Sequence, residues 1–141
     1  MTSGDDMTDD DTTRYLVERL VRDVWNAGRL GSVHELVAEQ DATAVLDWHV
    51  DRRRSFPDLR YDIVDLVVEG DRAALRWAAT GTQDGPFGPV PPTGRPAQWS
   101  GASFFLVTNG RVAETWSVNE LFQVLQQLGA QVQLPDEREV I

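Results

Sequence analysis

The stretch that most restricts the fold is Thr108-Asn109-Gly110 followed by Arg111 to Val118. Asn-Gly is the pair that accepts the backbone angles of a two-residue hairpin turn. After it, Val112, Glu114, Trp116 and Val118 alternate with Ala113, Thr115 and Ser117, the period of a strand. Leu121, Val124, Leu125 and Leu128 then fall at helical spacing, and Gly129 supplies the stop. A hairpin needs a strand before its turn, and Ala97 to Val107, with Trp99, Phe104 and Phe105, can supply it. The chain is therefore expected to finish as an antiparallel hairpin whose last strand feeds a helix. Asn119 and Glu120 fall at that junction. Asn119 suits a helix N-cap and Glu120 a first-turn carboxylate beside the helix dipole. The same place suits the rim of a pocket, and the roles are compatible.

Two further strands precede the hairpin. Tyr61 to Glu69 and Ala73 to Thr82 flank a Gly70-Asp71 turn, with Leu75, Trp77 and Ala79 on one side and Arg76, Ala78 and Thr80 on the other. The alternation leaves open which side faces the core. Gly101 inside a strand signals a bulge or the close approach of another group. Gly85 to Pro96 is dense in Gly and Pro and reads as a long loop bordering a pocket, with Phe87 as its aromatic.

The first third is helical. Thr12 or Thr13 can cap a helix with Val17, Leu20, Val21, Val24 and Trp25 on one face, ended by Gly28. Ser32-Val33-His34-Glu35 has capping-box spacing and opens a short second helix, with Val33, Leu36 and Val37 inward. Asp41 can cap a third, with Ala44, Val45 and Trp48 inward, closing before Phe56-Pro57. His49 neighbours that apolar face, where a hydrogen-bonded wall residue is commoner than a catalyst. Arg52-Arg53-Arg54 reads as a solvated helix end suited to the dipole.

The order of elements implies an α+β fold, with three N-terminal helices packed on a curved antiparallel sheet of about four strands and a C-terminal helix. It is read as one domain, 12–133, with an acidic disordered tail at 1–11 and a short tail at 134–141. The tail's Asp5, Asp6, Asp9, Asp10 and Asp11 carry half of the formal net charge of −10. No basic face for nucleic acid is expected. With no cysteine and two histidines, neither a thiol nor a spaced set of metal ligands is available. No apolar run reaches membrane-spanning length, and the acidic start is unlike a signal peptide, so a cytoplasmic location is expected. Five Trp and five Phe are enough to line a cavity between helices and sheet.

Several short motifs stand in one order from Phe56 to Gly129. They are Phe56-Pro57-Asp58-Leu59-Arg60, Glu69-Gly70-Asp71-Arg72, Arg76-Trp77, Thr80-Gly81-Thr82, Pro92-Thr93-Gly94-Arg95, Trp99-Ser100-Gly101 and the Gly110–Gly129 segment. Together they resemble the SnoaL-like polyketide cyclases of the nuclear transport factor 2-like superfamily. The resemblance implies a cone-shaped α+β barrel, a homodimer through the convex face of the sheet, and a deep apolar pocket that works without metal or organic cofactor. The implied activity is cyclisation or isomerisation of a polyketide or other secondary-metabolite intermediate by acid/base catalysis.

The sequence departs from that family at two positions. Asn119 stands where an acid/base Asp is common, and Gln83 where the second strand often ends in His. An amide cannot accept a proton as a carboxylate does. The expected acid/base group is therefore Glu120, with Asn119 positioning. Trp116, Arg76, Trp77, Glu114, Trp99, Phe87, His49 and Gln83 are the expected substrate contacts. Two alternatives stay open: an epoxide-opening enzyme using Arg76 with Glu114 or Glu120, and a non-catalytic small-molecule binder.

Overall fold

A computed structural model describes residues 9–136. The first helix, α1 (Asp9–Arg19), continues without a break into a π-wound stretch, Leu20–Asn26. Its buried face holds Leu16, Val17, Leu20, Val21, Val24 and Trp25, as the apolar spacing required. The helix starts before the expected cap. Asp9, Asp10 and Asp11 form its first turn rather than a tail, and residues 1–8 lie outside the described residues. The reason is tertiary. The Gly70 N–H donates to Asp10 Oδ1 at 2.6 Å, and Thr13 Oγ1 donates to the Gly70 carbonyl at 2.7 Å, so the β1–β2 turn holds the helix start.

A 3₁₀ turn, Leu30–Ser32, leads into α2 (Val33–Leu36), whose Val33 and Leu36 are buried. Ser32 makes no side-chain cap. Helix α3 (Glu39–Ser55) begins with Ala38 at the N-cap, so Asp41 lies in its first turn instead of capping it. The three arginines at its end are not alike. Arg53 donates to the carbonyls of Trp25 and Asn26, closing the end of the first helix, and Arg52 lies against the rings of Trp48 and Phe87 at 5.4 and 4.9 Å. Only Arg54 is a solvated helix end.

The strands β1 (Arg60–Glu69), β2 (Arg72–Thr82), β3 (Pro96–Thr108) and β4 (Arg111–Asn119) pair antiparallel in the order β1-β2-β3-β4. The sheet is curved and unclosed. Asn109 and Gly110 take positive φ at the β3–β4 turn, the conformation that made Asn-Gly informative. The register puts Trp77, Gly101 and Asn119 in one row and Ser103 beside Ser117 in the next. Leu75, Trp77, Ala79, Trp99, Ser103 and Phe105 are buried on the inner face. Arg76, Phe104, Glu114, Trp116 and Val118 therefore project from the outer face.

Helix α4 (Leu121–Gln127) takes over where β4 stops. β3 runs past the last β4 pair, Gly101 with Asn119, so its backbone groups at Ser100 and Gln98 that face away from β2 have no β4 partner. Glu120 and Gln127 replace one. Glu120 Oε1 accepts from the Ser100 N–H at 2.9 Å, and the Glu120 N–H donates to the Ser100 carbonyl at 3.1 Å. Gln127 bonds both backbone groups of Gln98 at 2.7 Å.

Candidate active-site cavity

Helix α3 does not lie close against any strand along its length, while the first helix and α2 do. The space left between α3 and the inner sheet face is a cavity of about 770 Å³. Asp41, Val45, Trp48 and His49 line it from α3, at positions one and two turns apart that share one helix face. Trp77, Ser103, Phe105, Thr115, Ser117 and Asn119 line it from the sheet. Trp25 and Leu20 close the side formed by the first helix. At the β4 edge the opening meets Glu114 and Trp116, which belong to the outer face.

His49 is the buried titratable group of this cavity, 4% exposed. Its ring stands edge-on to Trp48 at 4.7 Å and tilted against Trp25 at 5.9 Å. Among the described residues it makes no hydrogen bond, contrary to the hydrogen-bonded wall role expected. Burial, with the Arg53 charge adding to it, lowers its pKa to about 4, so it is neutral near pH 7. One of its ring nitrogens can donate and the other accept.

Asn119 is the second unpartnered group. Its Oδ1 is buried without a donor. It is not a cap: Glu120 occupies the N-cap position of α4, and Asn119 remains the last residue of β4, turned to the inner face. Trp77, 2% exposed, donates from Nε1 to Ser103 Oγ at 3.0 Å, and Ser103 Oγ lies 2.7 Å from Ser117 Oγ.

The cavity thus brings together His49, Trp77 and Asn119, with Glu114 and Trp116 at its edge. It does not bring in the other expected residues. Glu120 does not line it, because its carboxylate is spent on the β3 backbone. Arg76 is on the outer face, 2.9 Å from Asp65. Trp99 packs on Phe56 at 5.2 Å beyond the cavity wall. Gln83 is fully buried and braces the 84–95 loop: Nε2 donates to the carbonyls of Gly85, Val90 and Pro91, and Oε1 accepts from the N–H and hydroxyl of Thr93. That loop folds onto the end of α3, with Asp84 and Gly85 N–H groups on the Ser55 carbonyl. Its Phe87 packs on Phe56 at 5.7 Å and reaches the cavity wall only through Arg52 and Trp48.

Sequence reasoning did not single out Asp41, Trp48, Ser103 and Ser117 as site residues. The signal was present. Asp41, Val45, Trp48 and His49 share a helical stripe, and small polar residues recur at inward positions of two paired strands, where large apolar ones would fill a solid core. Among the described residues no group of three or more His, Asp or Glu is placed to hold a metal ion. No helix among them is long and apolar enough to cross a membrane.

A curved antiparallel sheet with one helix, α3, held off its concave face, around a chamber with a few unpartnered polar groups, is built to take a small molecule. The chain belongs to the SnoaL-like polyketide cyclase family, whose profile matches residues 15–128. IdmH from Streptomyces antibioticus, a candidate polyketide cyclase, is similar at 28% identity and TM-score 0.75, over 84% of this chain and 99% of that one. AclR from Streptomyces galilaeus, a candidate hydroxylase, is similar at 25% identity and TM-score 0.77, over 87% of this chain and 84% of that one. A SnoaL-like protein from Jannaschia sp. CCS1 shares the fold at 23% identity and TM-score 0.82, over 92% of this chain and 100% of that one. No curated protein matches the sequence.

Proposed function

We infer that the cavity is an active site and that the protein cyclises or isomerises a polyketide or related secondary-metabolite intermediate by proton transfer, without a cofactor. The observation that carries this reading is His49, a neutral, buried and unpartnered imidazole in the wall of an otherwise largely apolar chamber. In an intramolecular aldol closure, His49 takes the proton from the carbon beside a ketone. The enolate carbon then attacks a second carbonyl, one C–C bond forms, and the new alkoxide recovers the proton from the imidazolium. A pKa near 4 makes His49 a weak base alone. The enolate formed beside it offsets the imidazolium charge, so the pair forms together. Asn119 orients the reacting oxygen. Glu120, the carboxylate expected from sequence, has no part in this reading, because it serves the β3 edge.

Among the described residues the carboxylates lining the cavity, Asp41 and Glu114, are not buried, which favours a second reading, a non-catalytic binder of the same class of molecule. Epoxide opening draws no support from Arg76, whose guanidinium pairs with Asp65 on the outer face. A homodimer through that outer face accompanies the reading, supported by the exposed Val67, Phe104, Trp116 and Val118.

The test uses a linear aryl β-diketone with a pendant ketone, followed by chromatography and mass spectrometry. Ring closure is expected faster than in buffer, with roughly 10²–10⁴-fold loss in His49→Leu and none in Glu120→Gln. Saturable binding without turnover selects the binder. Neither binding nor turnover overturns both readings.

A further inference from the structure

The geometry points to an oxyanion cradle made by Ser117 and Asn119 and set in direction by Trp77 and Ser103. This rests on the reading of the cavity as the substrate site, and it names what the site recognises: a carbonyl, enolate or phenolate oxygen on a planar molecule.

The direction of the hydrogen bonds follows from counting donors. Trp77 Nε1–H can only donate, so Ser103 Oγ accepts from it at 3.0 Å. Ser103 is 1% exposed, and its only other side-chain partner among the described residues is Ser117 Oγ at 2.7 Å. If Ser117 donated to Ser103, the Ser103 proton would be buried with no acceptor, an arrangement that carries the desolvation cost of an unmade bond. Ser103 therefore donates to Ser117. The Ser117 proton is left free, and Ser117 is exposed to the cavity. Each bond in such a chain polarises the next, so this proton is a better donor than that of an isolated serine.

Asn119 stands two residues on, on the same face of β4, roughly 7 Å along the strand. Neither end of its amide has a protein partner: Oδ1 is buried without a donor, and Nδ2 makes no hydrogen bond among the described residues. The Ser117 hydroxyl and the Asn119 amide can thus converge on one oxygen from the sheet side, while His49 faces it from α3. Gly101 pairs with Asn119 and leaves the Trp77 ring its place at the head of the chain. The other charged groups lining the cavity are Asp41 on α3, Arg72 at the start of β2 and Glu114 on β4.

The probe is 2-naphthol, whose phenol and phenolate forms differ in absorbance, titrated by pH when bound to the full chain. In wild type its pKa is expected to fall relative to Ser117→Ala by about one unit, the worth of one hydrogen bond to a charged acceptor. Asn119→Ala should show a similar loss, and Ser117→Thr, which keeps the hydroxyl, should restore the wild-type value. Ser103→Ala should lose part of the shift with Ser117 intact, which a purely structural role for Ser103 would not produce. Saturable binding with the same probe pKa in wild type and Ser117→Ala overturns the cradle and leaves the cavity reading standing. No saturable binding, with no change on Trp48→Ala, overturns the cavity reading and the cradle with it.

Discussion

A Cβ placed on Gly101 would stand 2.3 Å from Cζ2 of Trp77 and 2.6 Å from the Val118 carbonyl oxygen. β3 can pass behind the indole only because residue 101 has no side chain. One contact is with backbone, so a small shift of the ring does not relieve it.

Gly101→Ala is accordingly expected to destabilise the fold by about 1–3 kcal/mol, the usual cost of overpacking a well-filled site, and to displace Trp77. Urea unfolding gives the first quantity and Trp fluorescence the second. A variant as stable as wild type, with unchanged emission, would show that the sheet relaxes freely at this point.

His49 gives the fold a defined acid sensitivity. Its folded pKa of about 4 lies below the ordinary 6.5, so folding favours the neutral form. The unfolded chain binds more protons between those values. The contribution of His49 to stability is therefore fully present above pH 6.5 and is lost as pH drops towards 4, by at most about 1.4 kcal/mol per unit. His49→Gln should flatten that slope in denaturant midpoints measured between pH 4 and 7. An identical slope in the variant would assign the sensitivity elsewhere.

Gln83 holds five hydrogen bonds to the loop it precedes. Gln83→Leu removes the brace and leaves buried loop groups unpaired, an expected cost of about 1–3 kcal/mol. Amide exchange at Gly85, Thr93 and Arg95 should quicken while the β2–β3 ladder stays protected. Uniform protection in the variant would mean the loop is held by Phe87 and Gly85 packing alone.

Glu120 separates a structural carboxylate from a catalytic one. Glu120→Gln keeps an acceptor for the Ser100 N–H, so stability and turnover should both stay close to wild type. Glu120→Ala should lose about 1 kcal/mol without changing the pH profile of turnover. Loss of turnover by two orders of magnitude in Glu120→Gln, with stability unchanged, would return the acid/base role to it.

The outer face of the sheet carries Trp116, 60% exposed, its ring tilted against Phe104 at 5.5 Å. A dimer through this face should appear by light scattering at micromolar concentration, and Trp116→Arg should give a monomer of unchanged circular dichroism. A monomeric wild type would remove the proposal.

Much of the architecture was legible in residues 12–129. Asn109-Gly110, the strand alternation and the apolar stripes are local signals, and period and turn chemistry are decided within a few residues. Strand direction, pairing partners and the buried face of the first helix follow from them. The bond from the Ser100 N–H to Glu120 was not legible, for the opposite reason. The Glu120 carboxylate answers a shortage in a different strand, where β3 outruns β4, and no local pattern announces that. Arg76 was misread because alternation names two faces without naming the inner one; only helix packing chooses. His49 and Asn119 were both visible as candidates. What tertiary structure alone decided is that both line the cavity and that, among the described residues, neither side chain there has a hydrogen-bond partner. A residue's identity limits the bonds it can make, while the elements brought against it decide which of them are already taken.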